Sequence, residues 1–431
     1  MPSWEVQLLH RTPRWRRTAS AFQPENRNYL ISAVLMPTVT LGAGLVLLAG
    51  LHLLVAWRKH MSRRCEGGFE KQQRGLLITL RMGFTLAAVL ALHLLFYGSS
   101  LISQAASSAS NDLGYFDQTM TTMVTTAEEL PWQLRQSIGN FTLAKESART
   151  FCNMSVTVSS LRQVEGIENI AMSVGPLVAS MVRSIQPLVS TARANLHLFG
   201  NYYTRLVCYV TYFVMMTMLM LFTSLVYYKQ ATLAIAASFL TQILSLLLIG
   251  GGSFLLYVLQ LSSDFCMDPS KTIVDLLPPT AHVIMVLFSN CASMSITSTL
   301  LPIIQRLSSF GEALQSKIPP MVSRRCNITR LALIKSRALI NSSVLNLEKT
   351  SVALNCDRVS TMYNDLLKKE LCGAMMNGAS ILMGMFYTVG ACALCAAALG
   401  MMMLQPDTFA DQNTIDEDSE IGSGAQSVCE N

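Results

Sequence analysis

The chain has 431 residues, of which 51% are hydrophobic and only 13% charged, with a formal net charge of +6. So apolar a composition excludes an ordinary soluble domain and calls for runs of about 20 apolar residues, the length a helix needs to cross a bilayer.

The first 29 residues are polar and carry Arg11, Arg14, Arg16, Arg17 and Arg27. No cleavable signal peptide is expected, because the first apolar run, Leu30 to Trp57, already has span length. A basic loop follows at 58–81, with Arg58, Lys59, Arg63, Arg64, Lys71 and Arg74 against Glu66 and Glu70. The second span is expected at 82–102, with Arg81 at its start, where it can snorkel to the headgroups. A long polar segment occupies 103–205. The third span at 206–228 and the fourth at 231–261 are joined only by Lys229 and Gln230, so they form an antiparallel hairpin. A second long segment covers 262–374, the fifth span covers 375–404, and an acidic tail without Lys or Arg closes the chain at 405–431.

Ala281 to Ile304 also has span length, but it carries Asn290, Cys291 and six Ser or Thr residues. It reads as a buried helix of an external domain rather than a sixth span. Gly250, Gly251 and Gly252, within the fourth span, read as a close helix contact. Cys392 and Cys395, a CxxC inside the fifth span, read as small packing residues rather than a redox or metal pair. The tail, which includes Ser419 in an acidic context, is expected to be disordered.

Orientation follows from two signals. The basic 58–81 loop belongs in the cytoplasm by charge bias. Four Asn-X-Ser/Thr acceptors, at Asn140, Asn153, Asn327 and Asn341, all fall in the two long segments, which five spans place outside the cell. The N-terminus is then extracellular and the C-terminus cytoplasmic. Cys152, Cys266, Cys291, Cys326, Cys356 and Cys372 form an even set in the same segments, and the spacing leaves every pairing open. Thr119 to Ala171 and Leu300 to Leu371 show apolar residues at helical intervals, so the fold class expected is an all-α membrane protein with spans arranged two, two, one and a helical, disulfide-bonded extracellular domain built from both segments. Arg324, Arg325, Arg330, Lys335 and Arg337 form a basic run there, most simply a solvated helix face. At an external location nucleic acid is not an expected partner.

Short motifs add to this layout. The chain opens Trp4-Glu5-Val6-Gln7-Leu8-Leu9-His10, followed by Pro13 and Arg14; Phe96-Tyr97-Gly98 ends the second span; Ser263-Asp264-Phe265-Cys266 follows the fourth; and Asn355-Cys356 and Leu371-Cys372 precede the fifth. In these motifs and in its layout the sequence resembles the tweety family. The resemblance implies a homodimeric plasma-membrane protein and a proposed chloride or other anion channel. It also implies disulfides joining Cys266 to Cys372 and Cys291 to Cys356, which leaves Cys152 and Cys326 to pair. Arg149 is the nearest match to a basic residue linked to anion permeation. The calcium bound by some members after the second span has no acid to meet it in Ser99-Ser100-Leu101-Ile102-Ser103-Gln104.

The alternative is a non-conducting lipid-binding or membrane-organising protein with an apolar extracellular pocket, to which Ala281 to Ile304 would contribute. No enzyme is expected: His10, His52, His60, His93, His197 and His282 are scattered without metal-ligand spacing, and there is no nucleophile elbow or phosphate loop.

Overall fold

The computed structural model describes residues 4–14, 22–62, 70–277, 279, 282, 296–319 and 326–404. Among the described residues the secondary structure is helical throughout. Short helices α1 (Trp4–His10) and α2 (Arg27–Ser32) precede α3 (Leu35–Ser62). The helix α4 (Glu70–Phe151) runs unbroken for 82 residues, and α5 (Leu161–Asn195) passes through a π-helical stretch, Leu196–Tyr203, into α6 (Thr204–Tyr227). After α7 (Ala231–Met267) and α8 (Pro269–Leu276) come α9 (Ile296–Lys317), α10 (Asn327–Ala353) and α11 (Cys356–Asn364). A second π-helical stretch, Asp365–Met375, leads into α12 (Met376–Leu404). Five helical runs, at Arg27–Arg58, Gly75–Phe151, Leu161–Tyr227, Ala231–Met267 and Asn327–Met403, are long and apolar enough to cross a membrane. The protein is therefore a multi-pass membrane protein with five candidate spans.

The chain forms two compact units. The first comprises residues 1–106, 198–268 and 371–431, and the second 107–197 and 269–370. In the first, α7 is the central helix, with α12, α3, α6 and α1 against it. Small residues let these helices approach: Ala88, Ala91 and Ala393 are buried among Leu92, Leu95, Met215, Leu219, Leu382, Phe386 and Val389. A Cβ on Gly378 would come within 3.0 Å of the Gly98 carbonyl, and one on Gly390 within 2.9 Å of the Ser245 carbonyl. Of the Gly250–Gly252 run only Gly252 makes such a contact, 3.2 Å from the Tyr387 ring, whereas Gly250 and Gly251 face open space.

The second unit is a helical bundle whose core includes Leu134, Phe141, Ala144 and Ala148 of α4, Val164 and Ile167 of α5, Leu307, Phe310 and Leu314 of α9, and Leu333, Ile340 and Leu347 of α10. A seam of hydroxyls runs beside this core. Thr329, Ser336, Ser343 and Thr350 recur every seven residues on one buried stripe of α10, and they meet Ser147, Ser137, Gln133 and Thr126 of α4 in antiparallel order. At its centre the pairing is reciprocal: Ser137 Oγ donates to the Ser336 carbonyl at 3.0 Å and Ser336 Oγ to the Ser137 carbonyl at 2.9 Å. Each buried hydroxyl thus has a partner, which small side chains permit only if the helices lie close together.

Pro131 sits inside α4 without breaking it. Its missing N–H leaves the Ala127 carbonyl without its ordinary helical donor. That oxygen lies against Gly175 of α5, where a Cβ would stand only 2.5 Å away, so glycine is what lets α5 pack on this turn.

Two disulfides close long loops: Cys266 to Cys372 in the first unit, with Cα atoms 5.4 Å apart, and Cys152 to Cys326 in the second, at 5.5 Å. Cys291 and the Cys356 side chain lie outside the described residues, as do Arg324, Arg325, the 405–431 tail and most of Ala281 to Ile304.

Candidate functional site

The most polar buried site in the first unit is built around Asp264, near the C-terminal end of α7. Its side chain is wholly buried. Arg14 Nη2 lies 2.6 Å from each carboxylate oxygen, His10 Nδ1 lies 2.7 Å from Oδ1, and the Tyr29 hydroxyl donates to Oδ2. One helical turn earlier, Gln260 Nε2 donates to Thr12 Oγ1 at 2.5 Å. Burial works against the Arg14 charge, but its hydrogen bond and attraction to Asp264 outweigh that and hold the guanidinium above its ordinary pKa. The site therefore contains a compensated ion pair. Phe22 packs edge-on against both Tyr29 and Phe265, covering the cluster with aromatic surface. Cys266, two residues beyond Asp264, is tied to Cys372.

This arrangement joins two of the sequence motifs. His10 and Arg14 belong to the opening motif and Asp264 to the one after the fourth span, 250 residues later for Arg14. The cluster carries no nucleophile or free base, and its carboxylate is occupied from three directions. Its chemistry is that of a clamp.

Among the described residues of the apolar helices, polar groups meet in small sets. The Tyr387 hydroxyl lies 2.9 Å from Thr40 Oγ1 and 3.1 Å from Ser253 Oγ, linking α12, α3 and α7. His52 Nε2 lies 3.1 Å from Gln242 Oε1, and the His93 ring meets Tyr212 edge-on. Arg81, at the start of the second span, is enclosed by protein. It is only 7% exposed, with its guanidinium over the Phe222 ring at 4.9 Å. Between α6, α7 and α12 lies a groove of about 490 Å³, lined by Val210, Val214, Leu247, Gly251, Phe254 and Phe386 among others.

The other expected residues fall in the second unit. Arg149 is exposed in the last turn of α4, a position where a cation is favoured by the helix dipole alone. Asn153, Asn327 and Asn341 are exposed and Asn140 half-buried. Arg330 and Lys335 are exposed on α10. A shallow cleft of about 560 Å³ is lined by Asp112, Tyr115, Arg358, Thr361, Met362 and Asp365, with Arg358 over the Tyr115 ring at 4.4 Å. Among the described residues there is no group of three or more His, Cys, Asp or Glu side chains placed to hold a metal.

The seam of hydroxyls, the Asp264 clamp and the buried Arg81 went unread in the sequence. Only the seam left a visible signal, the seven-residue recurrence of Thr329, Ser336, Ser343 and Thr350. No curated protein matches the chain. The family model described as Tweety matches residues 1–423, nearly the whole length, and embraces the motifs that the clamp brings together. The chain belongs to the tweety family.

Proposed function

We propose that the protein handles lipid at the plasma membrane, with the groove between α6, α7 and α12 accepting an acyl chain. The observation that carries this reading is the groove itself. Its walls are Val, Leu, Phe and Met side chains, relieved by one threonine and one glycine, and its volume of about 490 Å³ suits a small apolar ligand. Such walls offer hydrocarbon a good fit and offer an ion nothing. In keeping with this, the segments 30–57, 82–102, 206–228, 231–261 and 375–404 contain no Asp, Glu, Lys or Arg. Ion selectivity ordinarily rests on rings of charged or carbonyl groups along a path. This reading puts the pocket among the membrane helices; the extracellular pocket suggested by the sequence would involve Ala281 to Ile304, most of which lies outside the described residues.

The second unit is on the outside of the cell in this reading, with the C-terminus cytoplasmic. The support is the placement of all four glycosylation acceptors and the Cys152–Cys326 disulfide in that unit.

The test is photo-crosslinking of the full-length protein in nanodiscs with a diazirine-bearing fatty acid, mapped by mass spectrometry. Label should concentrate on Val210, Val214, Leu247 and Phe254. Gly251→Leu, which projects a side chain into open space, should fill the groove and reduce that label about tenfold, the equivalent of roughly 1.4 kcal/mol. Equal labelling in both proteins would defeat the proposal. Anion flux above that of empty liposomes, with selectivity changed by Arg149→Ala, would establish the channel instead.

A further inference from the structure

Arg81 presents an unusual problem of charge. It lies on α4 between Phe222 of α6 and Gly400 of α12, and its residue is 93% withdrawn from solvent, the complement of its 7% exposure. Gly400 makes the room: a Cβ there would stand 2.5 Å from the Phe222 ring and 3.4 Å from Arg81 Nε. Among the described residues no carboxylate pairs with this guanidinium, and its Nη2 is buried without any acceptor. The Phe222 ring attracts the cation from one face but gives Nη2 no acceptor. A buried charge without a partner is strongly unfavourable. Families of helices retain such a residue where something else supplies the counter-charge.

Its depth indicates where that counter-charge comes from. α6 ends at Tyr227, five residues past Phe222, and α12 ends at Leu404, four residues past Gly400. At 1.5 Å per residue both ends lie about 6 to 8 Å away, close to the boundary between hydrocarbon and headgroups. The same end carries the α6–α7 turn with exposed Lys229.

We infer that Arg81 is an oxyanion site whose ligand is a phosphate group, delivered by an anionic phospholipid of the adjoining leaflet. The planar guanidinium fork matches two oxygens of a phosphate, which a spherical halide cannot do. This site is separate from the acyl-chain groove, which involves the opposite half of α6, from Val207 to Met215. Either can fail without the other.

The full chain is reconstituted in phosphatidylcholine nanodiscs, alone, with phosphatidic acid in the bilayer, or with inorganic phosphate in the buffer. Thermal unfolding and native mass spectrometry are the readouts. Phosphatidic acid should raise the Tm of the wild type and remain bound on release. Arg81→Gln should retain about tenfold less, from the loss of one charge-assisted hydrogen-bonding group, and Arg81→Lys should be intermediate, keeping charge without the fork. A rise with inorganic phosphate as large as with the lipid supports the oxyanion site and assigns its source to the free anion. Retention by Arg81→Gln equal to that of the wild type overturns the site. So does the absence of any rise in the wild type with either additive, however the variants fold.

Discussion

Arg14 and Asp264 stand 250 residues apart in the chain and 2.6 Å apart in the fold, with the carboxylate completely buried. The N-terminal segment is thereby fastened to the end of α7, beside the Cys266–Cys372 disulfide. Two weak sequence motifs prove to be one structural device.

Removing one member of this pair should be worse than removing both. Arg14→Ala leaves the Asp264 carboxylate buried with only His10 and Tyr29 to meet it, a loss on the order of 3 to 5 kcal/mol. Arg14→Met with Asp264→Leu should recover much of it, because no charge is then stranded. Thermal unfolding of the single and double variants in detergent gives the coupling. Strictly additive losses would show that the contact is incidental.

Reduction should weaken each unit in its own way. Cys152 and Cys326 are separated by 174 residues and Cys266 and Cys372 by 106, so each bond restricts a long loop of the unfolded chain. The usual contribution is about 2 to 4 kcal/mol per bond. Cys152→Ser/Cys326→Ser should expose second-unit amides first in hydrogen exchange, and Cys266→Ser/Cys372→Ser those of the α1–α7 contact. Uniform loss of protection in both variants would contradict this local assignment.

Asp112 gives a pH dependence. Burial pushes its carboxyl above the ordinary value, and the Glu370 and Asp365 carboxylates push the same way, with Lys369 opposing. The folded state therefore binds this proton more readily than the unfolded state. The cost of the ionised form is present in full above the raised pKa and is relieved as pH falls through it toward the ordinary 3.8. Acidification over that window should stabilise the second unit through this group, and Asp112→Asn should raise Tm at neutral pH while flattening the slope. Solvent screening keeps the effect to about 1 kcal/mol or less. Parallel wild-type and variant profiles would remove Asp112 as the cause.

The five spans were legible because bilayer thickness demands a long apolar run whatever the neighbours are. The helical second unit was legible from spacing: Leu333, Ile340 and Leu347 recur on one face and are buried together. What the sequence hides is the unbroken passage of α4 from a span into the bundle, since residues 103–151 change composition without changing conformation. Arg81, at the end of an apolar run, looks like an anchor. Its burial depends on Phe222 and Gly400, hundreds of residues from it along the chain in the second case, and no local pattern records that meeting.

Thr329 and Ser343 serve two purposes, and that permits a sharp separation of glycosylation from stability. Each is the hydroxyl residue of an acceptor, after Asn327 and Asn341, and each is wholly buried in the seam. Thr329 meets Ser147 at 2.8 Å, and Ser343 donates to Gln133 Oε1 at 3.0 Å. Asn327→Gln and Asn341→Gln alter only exposed side chains. They should each remove one glycan from protein made in mammalian cells, read as a step in mobility that glycosidase no longer produces, with unfolding free energy measured after deglycosylation within about 0.5 kcal/mol of wild type. Thr329→Val removes the same acceptor and also the hydroxyl that meets Ser147, which keeps only its bond to the Ala144 carbonyl, a loss of about 1 kcal/mol. Deglycosylated Thr329→Val as stable as Asn327→Gln would mean that the seam adds nothing to the bundle, whereas an unchanged mobility in all these variants would count against the external placement of the second unit.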